Sequence, residues 1–377
     1  MKKGLYIVNL GYKITDEKRN TDGVIKKILG QVNSFNKLGF NVELLNVAEK
    51  KNNYICKFFY SWFNKKQYIS KNYDFLKDVD FVYIRHFSPI NRGCIGLLSY
   101  LKKNNCKIIY EVPTYPYDKE HAGFKGFIFL LIDKFFRKFL NRYVDYIATY
   151  SDDNSIFNIP TIKITNGIDC LSIPTINNSC STEDINLIAV AQFSKWHGYD
   201  RLIEGLNNYY ECKPSRKVFI NFVGAGPELE TYKKKVINYN LSSYIVFHGL
   251  LSGQKLNMVF DRSNMAVCSL GCHRIGIYKG SFLKSREYMA RGLPMISSTK
   301  IDVLDAGFPY IYYVPEDESA ININSLINFY NKLKELESRA NQISNIRRFA
   351  EDSCDMTVVM KPVVNVISEL LQDNFIN

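Results

Sequence analysis

Long apolar runs are missing from this sequence: no stretch reaches the roughly eighteen residues that a membrane-spanning helix requires. Histidine is scarce, five scattered residues in 377, which argues against a site built on several acid–base imidazoles. The nine cysteines are an odd number, and only Cys268 and Cys272 lie close together, with no second ligand pair nearby. Neither a disulfide framework nor a zinc site is indicated, and a reducing cytoplasm fits best. No low-complexity tract and no repeat of solenoid period interrupts the chain, which leaves out disordered and repeat architectures. The basic residues are spread rather than blocked, and no zinc-finger or RNA-recognition pattern occurs, so nucleic acid is not the expected partner. The opening MKKGLYIVNLGYK has an apolar run too soon interrupted by Asn9 for a signal peptide and reads as a first buried strand.

What is present is globular composition, 46% hydrophobic and 23% charged, in a chain long enough for two domains. The net charge of +12 points to an anionic partner such as phosphorylated ligands or an anionic membrane surface. Short apolar runs alternate with amphipathic segments, the βαβ pattern of a parallel sheet. Strands are predicted at Leu5–Leu10, Asn41–Val47, Asp80–Arg85, Lys107–Val112 and Tyr146–Tyr150, with helices at Gly23–Leu38, Cys94–Lys103 and Phe124–Tyr143 between them. The Asp78–Asp80 pair marks the start of a strand rather than a metal motif. After the Asn-Gly turn of "PTIKITNGID" and the polar stretch "CLSIPTINNSCSTED" the alternation restarts. The predicted organisation is a first Rossmann-like domain over 1–169, a linker over 170–184, a second over 185–350, and a C-terminal helix over 351–377 returning to the first domain.

In doubly wound sheets ligands lie beyond the carboxyl ends of the strands. Three such loops stand out. In "VAQFSKWHGYDRLIEGL", Lys195, His197 and Gly198 precede a helix, where a lysine, an imidazolium and open amides suit a diphosphate. The plainer reading is a solvated Lys195, a core Trp196 and a capping His197. In "VGAGPELE", Gly224 and Gly226 fit a tight turn, and the missing third glycine argues against a dinucleotide site. In "KGSFLKSREYMARGLPMI", Gly280 and Ser281 are expected to start a helix that Gly292 and Pro294 end. Glu287 then shares a face with Lys284 and Arg291, placed either to hold a ribose diol or as a surface ion pair.

In this order, "TNGID", "SKWHGYDRLIEGL", "VGAGPELE", "VFHGLL" and "KSREYMARGLPMI" resemble the retaining, family-4 type of glycosyltransferase over essentially the whole chain. The resemblance implies the α/β GT-B fold, two facing Rossmann-like domains with parallel sheets. It implies sugar transfer from a nucleoside diphosphate sugar to a glycan or lipid-linked acceptor, in capsule or other surface polysaccharide biosynthesis, without metal or cofactor. Glu287 would hold the donor ribose and Lys195 the diphosphate, both counted as catalytic, with His197, Gly198, Gly280, Ser281 and Lys284 around the donor. Gly23 would line the interdomain cleft, and Glu111 and Tyr115 stand where the family carries a histidine, His121 coming late in that loop. Lys279 replaces a usual glutamate. A catalytically silent nucleotide- or glycan-binding partner protein and a nucleotide-sugar epimerase are the alternatives. In "FKGFIFLLIDKFFRKFLNRY", Phe124, Phe127, Ile128, Leu131, Phe135 and Phe139 form one face, with Asp133 and Arg137 opposite. That face is expected either to pack on the first domain's core or to lie on an anionic membrane, peripheral to its inner surface.

Overall fold

The computed structural model describes residues 1–47, 74–118, 123–177 and 183–372, with the single positions Trp62, Asn64, Lys65 and Tyr68. The chain divides into two compact units, Met1–Asn166 with Met356–Asn377, and Gly167–Asp355. In the first, β1 (Lys3–Val8), β2 (Asn41–Asn46), β3 (Phe81–Arg85), β4 (Lys107–Val112), β5 (Tyr146–Thr149), β6 (Ser155–Ile156) and β7 (Ile159–Lys163) form one sheet. Its order is β2-β1-β3-β4-β5-β7-β6, parallel except for the β6–β7 hairpin. Helices α1 (Asp16–Thr21), α2 (Gly23–Lys37), α3 (Arg92–Lys103) and α4 (Gly123–Phe136) lie between strands. Both faces of the sheet are covered, so the strands read as almost unbroken apolar runs such as FVYIR.

The second unit holds β8 (Ile185–Val190), β9 (Val218–Val223), β10 (Ile245–Phe247), β11 (Met265–Val267), β12 (Lys279–Gly280), β13 (Met295–Ser297), β14 (Lys300–Ile301) and β15 (Ile311–Tyr313). Six of these form a parallel sheet in the order β10-β9-β8-β11-β13-β15, and β12 pairs with β14 alone. The helices are α5 (Tyr199–Glu211), α6 (Leu229–Asn238), α7 (Gly253–Asp261), α8 (Leu283–Ala290), α9 (Ile323–Leu336) and α10 (Arg339–Cys354). The strand order reverses between β8 and β11, the switch point at which the loops leaving a doubly wound sheet part to admit a ligand. The stretch from Cys170 is packed: Cys170 and Ile176 are buried, and Arg347 donates to the Cys170 and Ile173 carbonyls at 2.6 and 2.7 Å. After Asp355, α11 (Met356–Gln372) joins the first unit, burying Met360, Val363 and Ile367 with Ile28 and Phe35 of α2.

Two buried carboxylates organise the first unit. Glu111, at the end of β4, is fully buried. It accepts from the Tyr83 hydroxyl at 2.9 Å, Arg85 at 3.0 Å, Gln31 at 3.2 Å and the Tyr6 and Tyr150 hydroxyls at 3.3 Å, with the Lys27 ammonium 3.6 Å away. Burial works to raise its pKa, but Lys27 and Arg85 hold the carboxyl below its ordinary range. Asp133 of α4 is the second. It accepts from the Ile90 N–H and the Tyr117 hydroxyl, both at 2.8 Å, and from Arg137 at 3.4 Å.

Asp133 sets the rotation of α4: it lies opposite Phe127, Leu131 and Phe135, as expected, and it is the acid that turns inward. With Asp133, Ile132 and Phe136 buried, Phe127, Leu131 and Phe135 point outward, 56%, 49% and 48% exposed. The expected apolar face is thus divided, with Ile128 and Phe139 packed on the core and the other three turned outward; the Phe124 side chain and His121 lie outside the described residues.

Replacing Glu111 by Ala should cost about 3–5 kcal/mol, because Lys27 and Arg85 stay buried without a counter-ion. Urea unfolding measures the loss. The depressed carboxyl pKa gives a sign as well: its stabilisation is complete above the ordinary value of 4.5 and is lost as pH falls through the lower folded value.

Candidate functional site

At the switch point of the second unit, loops after β8 and β11 meet at van der Waals limits. Gly198 has φ 63°, and a Cβ there would lie 2.6 Å from the Gly271 nitrogen, so glycine is required on steric and backbone grounds. The Leu270 N–H donates to the His197 carbonyl at 2.7 Å. The "VGAG" turn supports the same loop from the other side: a Cβ on Gly224 would strike the Ala191 carbonyl, which accounts for this glycine as a packing requirement. Tyr288 of α8 ties the helix to the strand ends. Its hydroxyl accepts from the Val190 N–H at 2.9 Å and reaches the Val190 and Val267 carbonyls at 3.4 Å.

His197 is not an imidazolium here. The ring is 2% exposed, and its Nδ1 accepts the Ser194 N–H at 3.0 Å, which leaves the proton on Nε2. Burial, aided by the nearby Lys284 charge, pushes its pKa down to about 3. It therefore shapes the loop rather than lending charge, the capping role that was the plainer of the two expectations.

Lys284 supplies the charge instead. Its ammonium lies 5.4 Å from the Trp196 ring centre and 5.7 Å from that of Tyr199, with the Tyr199 hydroxyl at 3.5 Å. Among the described residues no carboxylate pairs with it. Burial pushes its pKa down to about 8 from 10.5. The side chain is half-buried, so solvent screens part of this penalty and the aromatic faces offset more of it.

Glu287, three residues on, is 30% exposed and turned toward Arg291, whose Nε and Nη2 both donate to Oε1 at 3.1 and 3.0 Å. Arg291 also donates to Asn257 of α7 at 2.9 Å. The ion pair foreseen as the plainer reading is thus formed, and it leaves Oε2 without a partner among the described residues, free to accept a ligand hydroxyl.

Gly280 and Ser281 do not open the helix as expected. They lie before it, Gly280 in β12, while Phe282 occupies the cap position without a side-chain cap bond. Ser281 accepts from Arg286 at 3.0 Å, and Arg286, fully buried, pairs with Asp302. That pair draws the lead-in strand to β14 and leaves the first amides of α8 without a side-chain cap, beside Lys284. By contrast the α2 start at Gly23 is taken by Asp22, which accepts from the Val24 N–H at 2.8 Å.

Lys195 is exposed. It lines a depression of about 460 Å³ with Lys234, Lys235 and Arg274. Arg274, which no sequence pattern marks, donates to the Lys195 carbonyl at 2.8 Å while held by Asp200 and Glu318. In the first unit, Gly23 is exposed and Tyr115 packs at 5.8 Å on Phe157. Glu111 is sealed in its network, so it cannot line a cleft as anticipated.

No family model and no curated protein matches the chain. Solved structures do. HepE of Anabaena in complex with UDP is 13% identical over 98% of this chain and 100% of that one, with a TM-score of 0.60. Sucrose-phosphate synthase of Thermosynechococcus elongatus is 13% identical over 99% and 100%, at 0.64. The lipopolysaccharide outer core galactosyltransferase WaaB is 14% identical over 97% and 99%, at 0.60. The chain has the GT-B glycosyltransferase fold that these structures share.

If His197 is neutral as its burial requires, its imidazole resonances should stay flat from pH 5 to 8 in an NMR titration, values bracketing the ordinary histidine pKa of about 6.5. A transition near that pH would show an exposed ring and contradict this geometry.

Proposed function

We propose that the chain is a retaining glycosyltransferase that moves a sugar from a nucleoside diphosphate donor to a glycan or lipid-linked acceptor in surface polysaccharide biosynthesis, on the cytoplasmic side of the membrane. The observation that carries this reading is the half-buried Lys284 ammonium, packed on Trp196 and Tyr199 at the switch point with no carboxylate partner among the described residues. A diphosphate is the ligand that would compensate it. Open α8 amides add donors to the same anion, and the free Oε2 of Glu287, one turn further along, suits a ribose hydroxyl. As the bond from the anomeric carbon to the diphosphate oxygen breaks, negative charge grows on the leaving group. Lys284 and the helix start then stabilise the transition state more than the ground state. Lys195, exposed at the neighbouring depression, would add charge from the side, and Lys284 takes the larger share. The nucleotide complexes known for HepE support a UDP donor.

Lys279, exposed in β12 at the position of the family's usual glutamate, favours the second reading, a nucleotide-binding partner without turnover. Sugar transfer to an added acceptor separates the two.

Thermal stabilisation by UDP-, GDP- and dTDP-sugars identifies the donor. Lys284→Ala should lower nucleotide affinity about tenfold or more, while the free protein loses no stability or gains on the order of 1–3 kcal/mol, because an uncompensated buried charge is gone. A variant that binds as well as wild type would refute the reading. Nucleotide affinity should also fall about tenfold between pH 7 and 9 by calorimetry, since free Lys284 loses its proton near pH 8. Across the same range the free protein gains stability as pH rises, the sign required of a lysine whose folded pKa is depressed. Glu287→Ala should weaken the donor by at least about tenfold, with Arg291 retained by Asn257.

A further inference from the structure

The outward stripe on α4 stays half-exposed even though Phe135 packs on Trp62 at 5.2 Å, and charge accompanies it. Phe127, Leu131 and Phe135 recur every fourth residue, so they line one side of the helix. Lys134 falls beside Leu131 and Phe135 on that side, and the chain continues through a tight turn, Arg137–Arg142, that adds exposed Lys138 and Arg142. The one acid of the helix, Asp133, is buried. Next to the stripe is a depression of about 640 Å³ lined by Lys134, Arg137, Lys138, Phe157 and Asn158. Asp118 answers part of this charge, 2.7 Å from Arg137 and 3.3 Å from Lys134, and Asp133 lies 3.4 Å from Arg137. Lys138 has no carboxylate partner among the described residues.

The floor of the depression is held in an unfavourable backbone. Phe157 and Asn158 form the tip of the β6–β7 hairpin with φ 53° and 61°. A left-handed conformation is natural for Asn and strained for Phe. The strain places the Phe157 ring 5.0 Å from the Arg137 guanidinium carbon and edge-on to Tyr115 and Tyr117. Strain of this kind persists where the surrounding structure uses it.

We propose that this face of the first unit docks on an anionic phospholipid surface, with Phe127, Leu131 and Phe135 in the boundary between headgroups and acyl chains and a lipid phosphate in the depression at Lys134, Arg137 and Lys138. The helix is 14 residues long, too short to span a bilayer and suited to lie along it. Charge complementarity selects the occupant. A second copy packed on the same face would set Lys134, Lys138 and Arg142 against their own counterparts, whereas anionic headgroups answer all three. This site does not depend on the donor-site reading, although it would bring a membrane-borne acceptor to such an enzyme.

The full chain is sedimented with phosphatidylcholine vesicles and with the same vesicles doped with phosphatidylglycerol. It should pellet with the doped vesicles and stay in solution with the pure ones. Two double variants, Phe127→Ser with Leu131→Ser and Lys134→Glu with Lys138→Glu, should each weaken binding about tenfold. Their surface positions leave the fold intact, which an unchanged thermal shift with UDP would verify. Equal binding to both vesicle types, full binding by either variant, or a dimer that the serine variant dissolves without any vesicle binding would overturn the proposal. Absence of a UDP response in every sample would count against the donor reading alone, since vesicle binding is read separately.

Discussion

Charged groups taken out of water must be answered by opposite charge or by hydrogen bonds, and this requirement positions the functional parts of both units. Glu111 draws Lys27, Gln31, Tyr6, Tyr83, Arg85 and Tyr150 to the carboxyl end of the first sheet. Asp302 holds Arg286 and so bends the lead-in of α8 away from its amides. Asp200 and Glu318 hold Arg274 over the Lys195 carbonyl. Lys284 is the exception among the described residues, met by ring faces and the Tyr199 hydroxyl without a carboxylate, and this is why the proposed diphosphate is placed beside it.

Sterics act beside charge. Gly198 and Gly271 let the loops after β8 and β11 touch, and Tyr288 fastens α8 to the same strand ends through backbone groups. The helix carrying Lys284 and Glu287 is therefore fixed by buried, short-range contacts, while the two side chains themselves keep a polar end available. Such a division between rigid support and free functional atoms is what positioning a diphosphate and a ribose demands.

Much of this was legible in the residues. The alternation of apolar runs and amphipathic segments marks both parallel sheets, and the stop of α8 is readable because Gly292 takes a φ of 80° that other residues resist. The GxG turn reads as structural, and its glycines are explained by contact with the preceding loop. Lys284 and Glu287 are marked by their place on a helix after a strand. The first turn of that helix was misplaced because Ser281 is engaged by Arg286, a bond set by Asp302 sixteen positions from its partner. Which way α4 turns was left open by its residues for a similar reason. Apolar periodicity groups Phe127, Leu131 and Phe135 on one face without saying what it meets, because the Asp133 carboxylate finds its donors, the Ile90 N–H and the Tyr117 hydroxyl, only in the folded unit.

The sequence by itself determined the secondary elements, their parallel order and the loops that leave the strand ends, because hydrophobic period and glycine conformations are local properties. Tertiary structure alone decided that His197 is neutral, that Glu111 is sealed away, that Lys284 has no carboxylate partner among the described residues and that α4 shows Phe127 and Phe135 to the outside. Those outcomes depend on desolvation and on partners distant along the chain, and neither has a local signature.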